Sequence, residues 1–383
     1  MSDYKHFESK AIRTQSENSL HREHSTPIFM TSSFTFEDVE QAKAMFADEV
    51  DGNIYTRFTN PNNNEFTDKL CLLEGAESGI ATASGMAAMF SSMAGLLKTG
   101  DHVLASRSVF GSTHQLFTQV FPKWGISHTY VDIDKPETWE QEINSHTKMI
   151  FAETPSNPGL DILDLEWLGK LASSHGLILN IDNCFATPFL QQPIKYGAHI
   201  VTHSATKFID GQGRTIGGAI VGAEEFIQNI RFFTRHTGPS LSPFNGWVLS
   251  KSLETLPVRM EKHCENALKI AEYLEGHEEL VSVKYPFLPS HPQQKLAKKQ
   301  MRYGGALVTF VVAGGYQRAG RFLDNLKMLS LTANLGDTRT TVTHPSSTTH
   351  SKLTEEEQMR VGIEPGLVRI SVGLENVNDI LED

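Results

Sequence analysis

Strand-like and helix-like segments alternate through the middle of this chain, and the alternation limits the folds that it can adopt. Short apolar or β-branched runs predict strands at residues 78–82, 102–106, 127–131, 149–153, 177–182, 199–204 and 217–221. Helical patterns separate most of them, at residues 85–97, 112–123, 139–144 and 165–175. Because helices supply the crossovers that parallel strands need, the alternation predicts an α/β fold with a mostly parallel sheet covered on both faces.

The two ends of the chain follow other patterns. The first sixty residues are polar and irregular, with a weak strand pattern at 33–36, and we expect an arm that packs on something else, for instance a partner subunit. From residue 247 a long helical pattern runs to about 274 with an interruption at Pro257, and strand and helix patterns follow it. We therefore predict an N-terminal arm (1–60), an α/β domain (61–245) and a smaller α+β domain (246–383).

Composition excludes several classes of protein. Hydrophobic residues make up 39% and charged residues 21% of the 383 positions, as in a globular protein. A formal charge of −11 without any Lys/Arg block argues against a nucleic-acid partner. No apolar run approaches the roughly 18–20 residues of a membrane span, and the N-terminus lacks the apolar region of a secretory signal. Three scattered cysteines fit a reducing cytoplasm rather than a disulfide framework.

Two charged residues stand at the predicted ends of neighbouring strands. Asp182 ends one apolar run, and Lys207 follows the next one after a stretch of small hydroxyl residues. An isolated lysine is usually exposed and an isolated aspartate often caps a helix, but ligands bind beyond the carboxyl ends of parallel strands. A lysine amine can hold an aldehyde cofactor as a Schiff base, and a carboxylate can keep a pyridine nitrogen protonated. The pair predicts a site for pyridoxal 5′-phosphate (PLP).

Small residues near these positions suit a phosphate group. Gly85 opens a helical pattern after a short strand pattern, so that backbone N–H groups and the helix dipole face an incoming anion. Ser204 and Thr206 carry hydroxyls just before Lys207, and we expect them to donate to the same phosphate. A helix start alone is common and would predict little without the lysine and the aspartate.

Four more residues are candidates for binding anions or polar groups. Tyr55 and Arg57 lie in the N-terminal arm, where a phenol and a planar guanidinium can grip a phosphate, although an exposed pair is the ordinary alternative. Asn157 lies between two prolines in a stiff loop that could present it to a cofactor hydroxyl, or that could be a plain turn. Arg369 interrupts an apolar strand pattern, so it either faces solvent or forms a buried clamp for a substrate carboxylate.

Six ordered motifs resemble the PLP-dependent Cys/Met metabolism family, the cystathionine γ-synthase group of fold type I, over nearly the whole chain. They are residues 55–61, 84–88, 153–158, 182–183, 203–207 and 369–373. The resemblance implies that Lys207 is the Schiff-base lysine and Asp182 the partner of the pyridinium nitrogen. It implies phosphate contacts for four residues of the same subunit and two of a neighbouring one: Gly85, Met86, Ser204 and Thr206, then Tyr55 and Arg57.

The same resemblance assigns the substrate side of the site and the assembly. Arg369 would bind the substrate carboxylate, and Asn334 lies in the loop that helps to hold it in relatives. Such enzymes are typically tetramers, built as dimers of dimers that share active sites.

Departures from the family pattern narrow the implied activity. Phe110 occupies the position of the tyrosine that stacks on the cofactor ring, Ser112 replaces the cysteine of methionine γ-lyases, and Cys184 replaces a threonine. Together with the segments 210–214 and 332–337, this combination most resembles the sulfhydrylases that act on O-succinylhomoserine. It implies γ-replacement on an O-acylhomoserine by sulfide, giving homocysteine for methionine biosynthesis. Cysteine as the nucleophile, O-acetylhomoserine as the substrate, and γ-elimination by a methionine or cystathionine γ-lyase remain alternatives.

Overall fold

The structure is a computed structural model that describes residues 4–383. Its strands are β1 (Ser78–Thr82), β2 (His102–Ser106), β3 (Ser127–Val131), β4 (Thr147–Glu153), β5 (Ile178–Asp182), β6 (Ile200–Ser204), β7 (Gly218–Gly222), β8 (Leu280–Lys284), β9 (Leu307–Val312), β10 (Ser330–Leu331), β11 (Thr341–Thr343) and β12 (Leu367–Ser371).

The α-helices are α1 (Phe7–Arg13), α2 (Val39–Phe46), α3 (Pro61–Glu74), α4 (Gly85–Ala94), α5 (Gly111–Gln115), α6 (Pro136–Trp139), α7 (Leu165–Ser174), α8 (Thr187–Leu190), α9 (Glu224–Thr237), α10 (Pro243–Leu253), α11 (Leu256–Leu274), α12 (Gln294–Gln300), α13 (Gly315–Asn325), α14 (Glu355–Arg360) and α15 (Val377–Glu382). A π-helical turn, Leu116–Val120, and 3-10 turns complete the regular structure.

Within residues 4–383 the larger sheet has seven strands in the order β1-β7-β6-β5-β4-β2-β3. The five strands from β6 to β3 are parallel, whereas β7 runs antiparallel to both of its neighbours. The predicted α/β fold with a mostly parallel sheet is therefore confirmed. This order puts the carboxyl ends of β4, β5 and β6 side by side at one edge.

Successive side chains of a strand point to opposite faces of the sheet, and in the central strands both sets of side chains are apolar. Helices therefore cover both faces of this sheet. One face packs on α4 and α9 through residues such as Met89 and Ile227. The other face packs on α3, α7 and α10 through residues such as Phe66, Leu168 and Leu249. Both faces are thus closed to solvent, and the strand ends remain as the place for a ligand.

A second sheet in the described part of the chain has five strands in the order β10-β11-β12-β9-β8. Its apolar side packs on α11, α13 and α15 around Phe310, Val368 and Ile370. Strand β12 carries Arg369 toward the larger sheet. The smaller α+β unit predicted for the C-terminal part is confirmed, while the residue numbers predicted for the domain boundaries stay a prediction.

Several elements differ in extent from the sequence-based expectation. Helix α3 begins at Pro61, earlier than its apolar pattern, because the Asn60 side chain accepts a hydrogen bond from Asn62 N and caps it. The pattern at 112–123 divides into α5, a π-helical turn and a 3-10 turn. The strand pattern at 33–36 gives only an isolated bridge between Ser33 and Tyr55. Among residues 4–383, no helix combines the length and the apolar character that crossing a membrane would require.

Candidate active site

Two carboxyl side chains lie next to each other at the carboxyl edge of the larger sheet. Glu153 is the register partner of Asp182 across β4 and β5, and Asp182 is the register partner of Thr202 across β5 and β6. Side chains of register partners project to the same face of a sheet, here the face that packs on α4. Ser204 lies two residues beyond Thr202 and therefore projects to that face as well.

The N-terminus of α4 approaches the end of β6 closely. A Cβ added to Gly85 would lie 2.5 Å from Oγ and 2.8 Å from Cα of Ser204, so only glycine permits this approach. Ser84 caps the helix by accepting a hydrogen bond from Ala87 N at 3.1 Å. The N–H groups of Gly85 and Met86 are in the first turn, where the helix dipole attracts an anion beside the Ser204 hydroxyl.

Lys207 is held in a tight turn beyond β6. The guanidinium of Arg259, itself buried, donates to Phe208 O at 2.7 Å and to Ile209 O at 3.1 Å, which fixes the backbone after the lysine. Lys207 Nζ donates to Asn334 Oδ1 at 2.6 Å. Burial lowers the pKa of Lys207, so that its amine loses its proton more readily than an exposed lysine does.

Asp182 is buried, and no cation in the described part of the chain forms a salt bridge with it. Its Oδ1 accepts a hydrogen bond from Cys184 N at 3.0 Å. Burial raises the pKa of Asp182 to about 7, although that hydrogen bond and the nearby His203 act in the opposite direction. A protonated ring nitrogen beside this carboxylate would supply the missing opposite charge.

Glu153 connects the Asp182 position to Phe110. Its Oε2 accepts a hydrogen bond from Phe110 N at 2.8 Å, and its side chain is fully enclosed at 2% exposure. Burial and then the Asp182 charge raise the pKa of Glu153 well above its ordinary value. Phe110, the predicted ring-stacking residue, is therefore tied to the strand edge that carries both carboxyl groups.

Arg369 is a buried cation whose hydrogen bonds all go to neutral oxygens. It donates from Nη1 to Asn157 Oδ1 at 2.9 Å, and from Nη2 to Asn334 O at 3.3 Å and Ala333 O at 3.4 Å. Burial lowers the pKa of Arg369 to about 10, which Glu153 partly opposes. The structure thus excludes the solvent-facing alternative for Arg369, and a buried guanidinium with neutral partners suits a substrate carboxylate.

Three of the predicted residues have other contacts in this chain. The Thr206 hydroxyl donates to Gly217 O at 3.2 Å. Arg57 is exposed; it donates to Arg235 O and lies against the Tyr55 ring. Tyr55 is also exposed, at 41%. Within residues 4–383, neither Tyr55 nor Arg57 makes a side-chain hydrogen bond to Lys207, Asp182 or Arg369.

Sequence reasoning missed three residues that shape the site. In the sequence, Glu153 belongs to the loop motif 153–158. Its position at the end of the strand pattern 149–153 was the signal that it lies at the edge of the sheet. Arg259 gave no signal, because a buried arginine in a helix resembles an exposed one in sequence. Gly336 has a φ of +78° and allows its loop to approach the backbone of Lys207; a Cβ there would lie 2.8 Å from Lys207 C.

A doubly covered, mostly parallel sheet with a partly buried lysine and a buried carboxylate at its carboxyl edge is the architecture of a fold type I PLP-dependent enzyme. The chain belongs to the Cys/Met metabolism PLP-dependent enzyme family, whose model matches residues 8–383.

Individual relatives differ in the reaction that they are named for. An O-succinylhomoserine sulfhydrylase of Pseudomonas aeruginosa is 46% identical over 98% of this chain and 94% of its own length. An L-methionine gamma-lyase of Porphyromonas gingivalis is 42% identical over 94% of this chain and 90% of its own. A Campylobacter jejuni protein assigned as an O-acetylhomoserine (thiol)-lyase has a crystal structure with a TM-score of 0.95, 35% identity and 98% coverage of both chains, and it carries a pyridoxyl-lysine phosphate.

PLP is the cofactor of this family, and the residues described above fit it. The close approach of Gly85 to Ser204, where a Cβ would collide, brings the helix N-terminus and the Ser204 hydroxyl together as donors for a phosphate. Asp182 is a buried carboxylate without a salt-bridging cation among residues 4–383, so a protonated pyridine nitrogen can pair with it. Lys207 presents a partly buried amine of lowered pKa to the same edge. Together these residues match the phosphate, the ring nitrogen and the aldehyde of PLP.

Proposed function

We propose that this enzyme catalyses γ-replacement on an O-acylhomoserine, with O-succinylhomoserine as the favoured substrate, sulfide as the nucleophile and homocysteine as the product. The observation that carries the proposal is the 46% identity to an O-succinylhomoserine sulfhydrylase over nearly the full length of both chains. A second such relative, from Mycobacterium tuberculosis, is 43% identical over 93% of this chain. The reaction would serve methionine biosynthesis in the cytoplasm, a location that three buried, unpaired cysteines also favour.

The buried arginine supports an amino-acid substrate. In the proposal, the fork of Arg369 binds the α-carboxylate, and Asn157 and the carbonyl of Asn334 orient that fork. Because Asn334 also contacts Lys207, the substrate carboxylate and the lysine amine are placed relative to each other by one residue. This geometry would direct the amine to the carbon that bears the carboxylate.

Bound PLP supplies an electron sink that stabilises negative charge at the substrate Cα. Lys207 Nζ is the proposed attachment point for the cofactor aldehyde, and when free, Lys207 Nζ would act as the base that removes the proton from the substrate Cα and then one from Cβ. Its lowered pKa suits this task, since a base must lose its proton near the working pH. Asp182 would keep the ring nitrogen charged, and Phe110 would cover the ring.

Phosphate binding is proposed to come from two subunits. The first turn of α4, at Gly85 and Met86, and the Ser204 hydroxyl would hold the group from one chain. Thr206 would join them after its hydroxyl leaves Gly217 O. Tyr55 and Arg57 would reach the phosphate of a second copy, which accounts for their exposure here. We propose a homotetramer made of two such dimers.

A kinetic comparison tests the substrate and the nucleophile together. Purified enzyme is assayed with O-succinyl- and O-acetylhomoserine, each with sulfide and with cysteine. We expect the largest kcat/KM for O-succinylhomoserine with sulfide, with homocysteine as the product. A larger kcat/KM with cysteine would identify a cystathionine γ-synthase instead, and a preference for the acetyl ester would identify an O-acetylhomoserine sulfhydrylase.

The relatives named as methionine γ-lyases make γ-elimination the second candidate. Methionine is therefore included alone as a substrate, with release of a keto acid and methanethiol as the readout. We expect this rate to be minor because, on the family resemblance, Ser112 replaces the cysteine of methionine γ-lyases. A kcat/KM for methionine above that for O-succinylhomoserine with sulfide would overturn the proposed function.

A further inference from the structure

Glu153 and Asp182 are too close, and too deeply buried, for both to carry a negative charge at low cost. They are register partners on adjacent strands, whose backbones lie about 4.8 Å apart, and their exposures are 2% and 5%. Two carboxylates that share a buried site cannot both ionise near neutral pH, so one of them keeps a proton. The proposed function requires the charge on Asp182.

The surroundings of Glu153 favour it as the proton carrier. Oε2 accepts the hydrogen bond from Phe110 N, whereas Oε1 is buried and accepts no hydrogen bond from residues 4–383. A carboxylate would leave half of its charge unsolvated there, whereas a carboxylic acid has no charge to solvate and still accepts the Phe110 N–H through Oε2. Burial and the Asp182 charge both raise the pKa of Glu153, and only the Phe110 N–H and Arg369 oppose them.

A charged Glu153 would also disturb the two groups that bind ligands. The groups that act on it electrostatically are Asp182 on the neighbouring strand and Arg369 on the second sheet, with Cys184 beyond Asp182. An ionised Glu153 would repel the Asp182 charge and attract Arg369, which is otherwise bound only to neutral oxygens. A neutral Glu153 leaves both charges available.

We infer that Glu153 is a positioning residue that stays protonated in the working enzyme, keeps Asp182 and Arg369 from being neutralised, and holds Phe110 in place through its backbone N–H. It acts through these three neighbours. The inference rests on the proposed function only for the roles of Asp182 and Arg369; the protonation of Glu153 can be tested without any turnover.

Infrared spectroscopy tests the proton directly. A buried protonated carboxyl group gives a C=O stretching band that an ionised carboxylate lacks, so wild type and Glu153→Gln are compared with PLP bound at pH 8.5. We expect the band in wild type and its loss in Glu153→Gln, while Glu137→Gln, an exposed control, keeps it. Should Glu153→Gln not fold, Asp182→Asn provides the second measurement: burial still keeps Glu153 protonated there, so a band from Glu153 persists, whereas a band from Asp182 would disappear.

The effect of Glu153 on PLP binding and turnover is tested with the pH profiles of Glu153 variants. Glutamine is neutral, as the protonated acid is. In Glu153→Gln the PLP affinity, and kcat/KM at each pH, should therefore stay within about threefold of wild type; a threefold change in affinity corresponds to about 0.6 kcal/mol. Glu153→Ala, which lacks the acceptor for Phe110 N, should lose more than tenfold in PLP affinity. Absence of the band in wild type, its persistence in Glu153→Gln, its loss in Asp182→Asn, or a tenfold loss of PLP affinity in Glu153→Gln would overturn the inference. A failed sulfide assay with the band present would reject the proposed reaction alone.

Discussion

Lys207 Nζ donates to Asn334 Oδ1 at 2.6 Å, and the backbone carbonyl of the same asparagine accepts from Arg369 Nη2 at 3.3 Å. One loop residue of the smaller unit therefore contacts both the amine at the edge of the large sheet and the guanidinium on β12. Gly336, with its left-handed backbone, allows this loop to come so close. The loop that carries Asn334 therefore fixes the spacing between the proposed cofactor-binding amine of Lys207 and the proposed substrate-binding guanidinium of Arg369.

Replacing Lys207 tests the attachment point. Lys207→Arg keeps the positive charge but cannot form the covalent link or shuttle protons, because arginine stays protonated at working pH. We expect the visible absorbance of covalently bound cofactor to disappear and turnover to fall by at least about 10²–10⁴-fold. Spectra and initial rates measure both effects. Lys170→Arg, at an exposed ion pair with Glu166, is the control that should match wild type; a coloured, fully active Lys207→Arg would refute the assignment.

Asp182→Asn should raise stability while it lowers activity. In the cofactor-free protein the pKa of Asp182 is raised to about 7, so its folded state favours the protonated form. Its stability contribution is thus fully present below the unfolded pKa near 4 and is lost as pH rises through about 7. We expect Asp182→Asn to raise the apparent Tm of the cofactor-free protein at pH 8 but not at pH 4.5, with at most about 4 kcal/mol gained.

With PLP bound, the enzyme requires a negative charge on Asp182, so we expect Asp182→Asn to lose activity. An amide cannot keep the ring nitrogen charged, so kcat with O-succinylhomoserine should drop by at least tenfold. Differential scanning fluorimetry with and without PLP, together with initial rates, separates the two effects. The exposed replacement Asp134→Asn should change neither quantity. An equal Tm gain at both pH values would contradict the charge-based explanation.

Arg369→Lys tests the substrate clamp. Lysine keeps one charge but loses the planar fork, and a charge-assisted hydrogen bond to a carboxylate contributes about 1.5–3 kcal/mol. The KM for the O-acylhomoserine should therefore rise by roughly 10–100-fold, while the spectrum of bound PLP stays as in wild type. Steady-state kinetics at saturating sulfide give KM and kcat separately. Arg360→Lys, at an exposed pair with Glu356, is the matched control; an unchanged KM in Arg369→Lys would remove Arg369 from the substrate site.

Much of the fold and the centre of the site could be predicted because they depend on local patterns. Alternating apolar runs fixed the strands of the larger sheet, and the rule that ligands bind at carboxyl ends placed Asp182 and Ser204 together. The resemblance then supplied roles for Lys207 and Arg369. Lys207 follows β6 and Arg369 lies on β12, both strands that the sequence pattern predicts, while the roles of the two residues stay predictions.

The remaining features depend on contacts between distant segments. Arg259 supports the backbone after Lys207 from α11, about fifty residues later, and no local pattern indicates such a contact. The pairing of Glu153 with Asp182 depends on strand order and register, which periodicity does not specify. The breaks within residues 112–124 arise where α5 gives way to a π-helical turn, a change in hydrogen bonding rather than in composition.

Shared active sites can be tested by mixing two inactive variants. Arg57 is exposed and donates to Arg235 O in its own chain, and the proposal places it in the site of a second copy. Lys207→Ala and Arg57→Ala should each be inactive or nearly so, but in a mixed dimer one of the two sites has neither defect. After co-expression or subunit exchange, about a quarter of all sites should be intact and activity should recover to about that level.

The control for this experiment is a mixture of Lys207→Ala with Asp182→Asn, two residues of the same chain's site. Every site in those mixed dimers carries one defect, so activity should not recover. Gel filtration or light scattering confirms that the variants still associate, and the activity of the mixture is measured at fixed total protein. Recovery in the control, or none with Arg57→Ala despite mixed dimers, would show that Arg57 serves its own subunit or does not reach the cofactor.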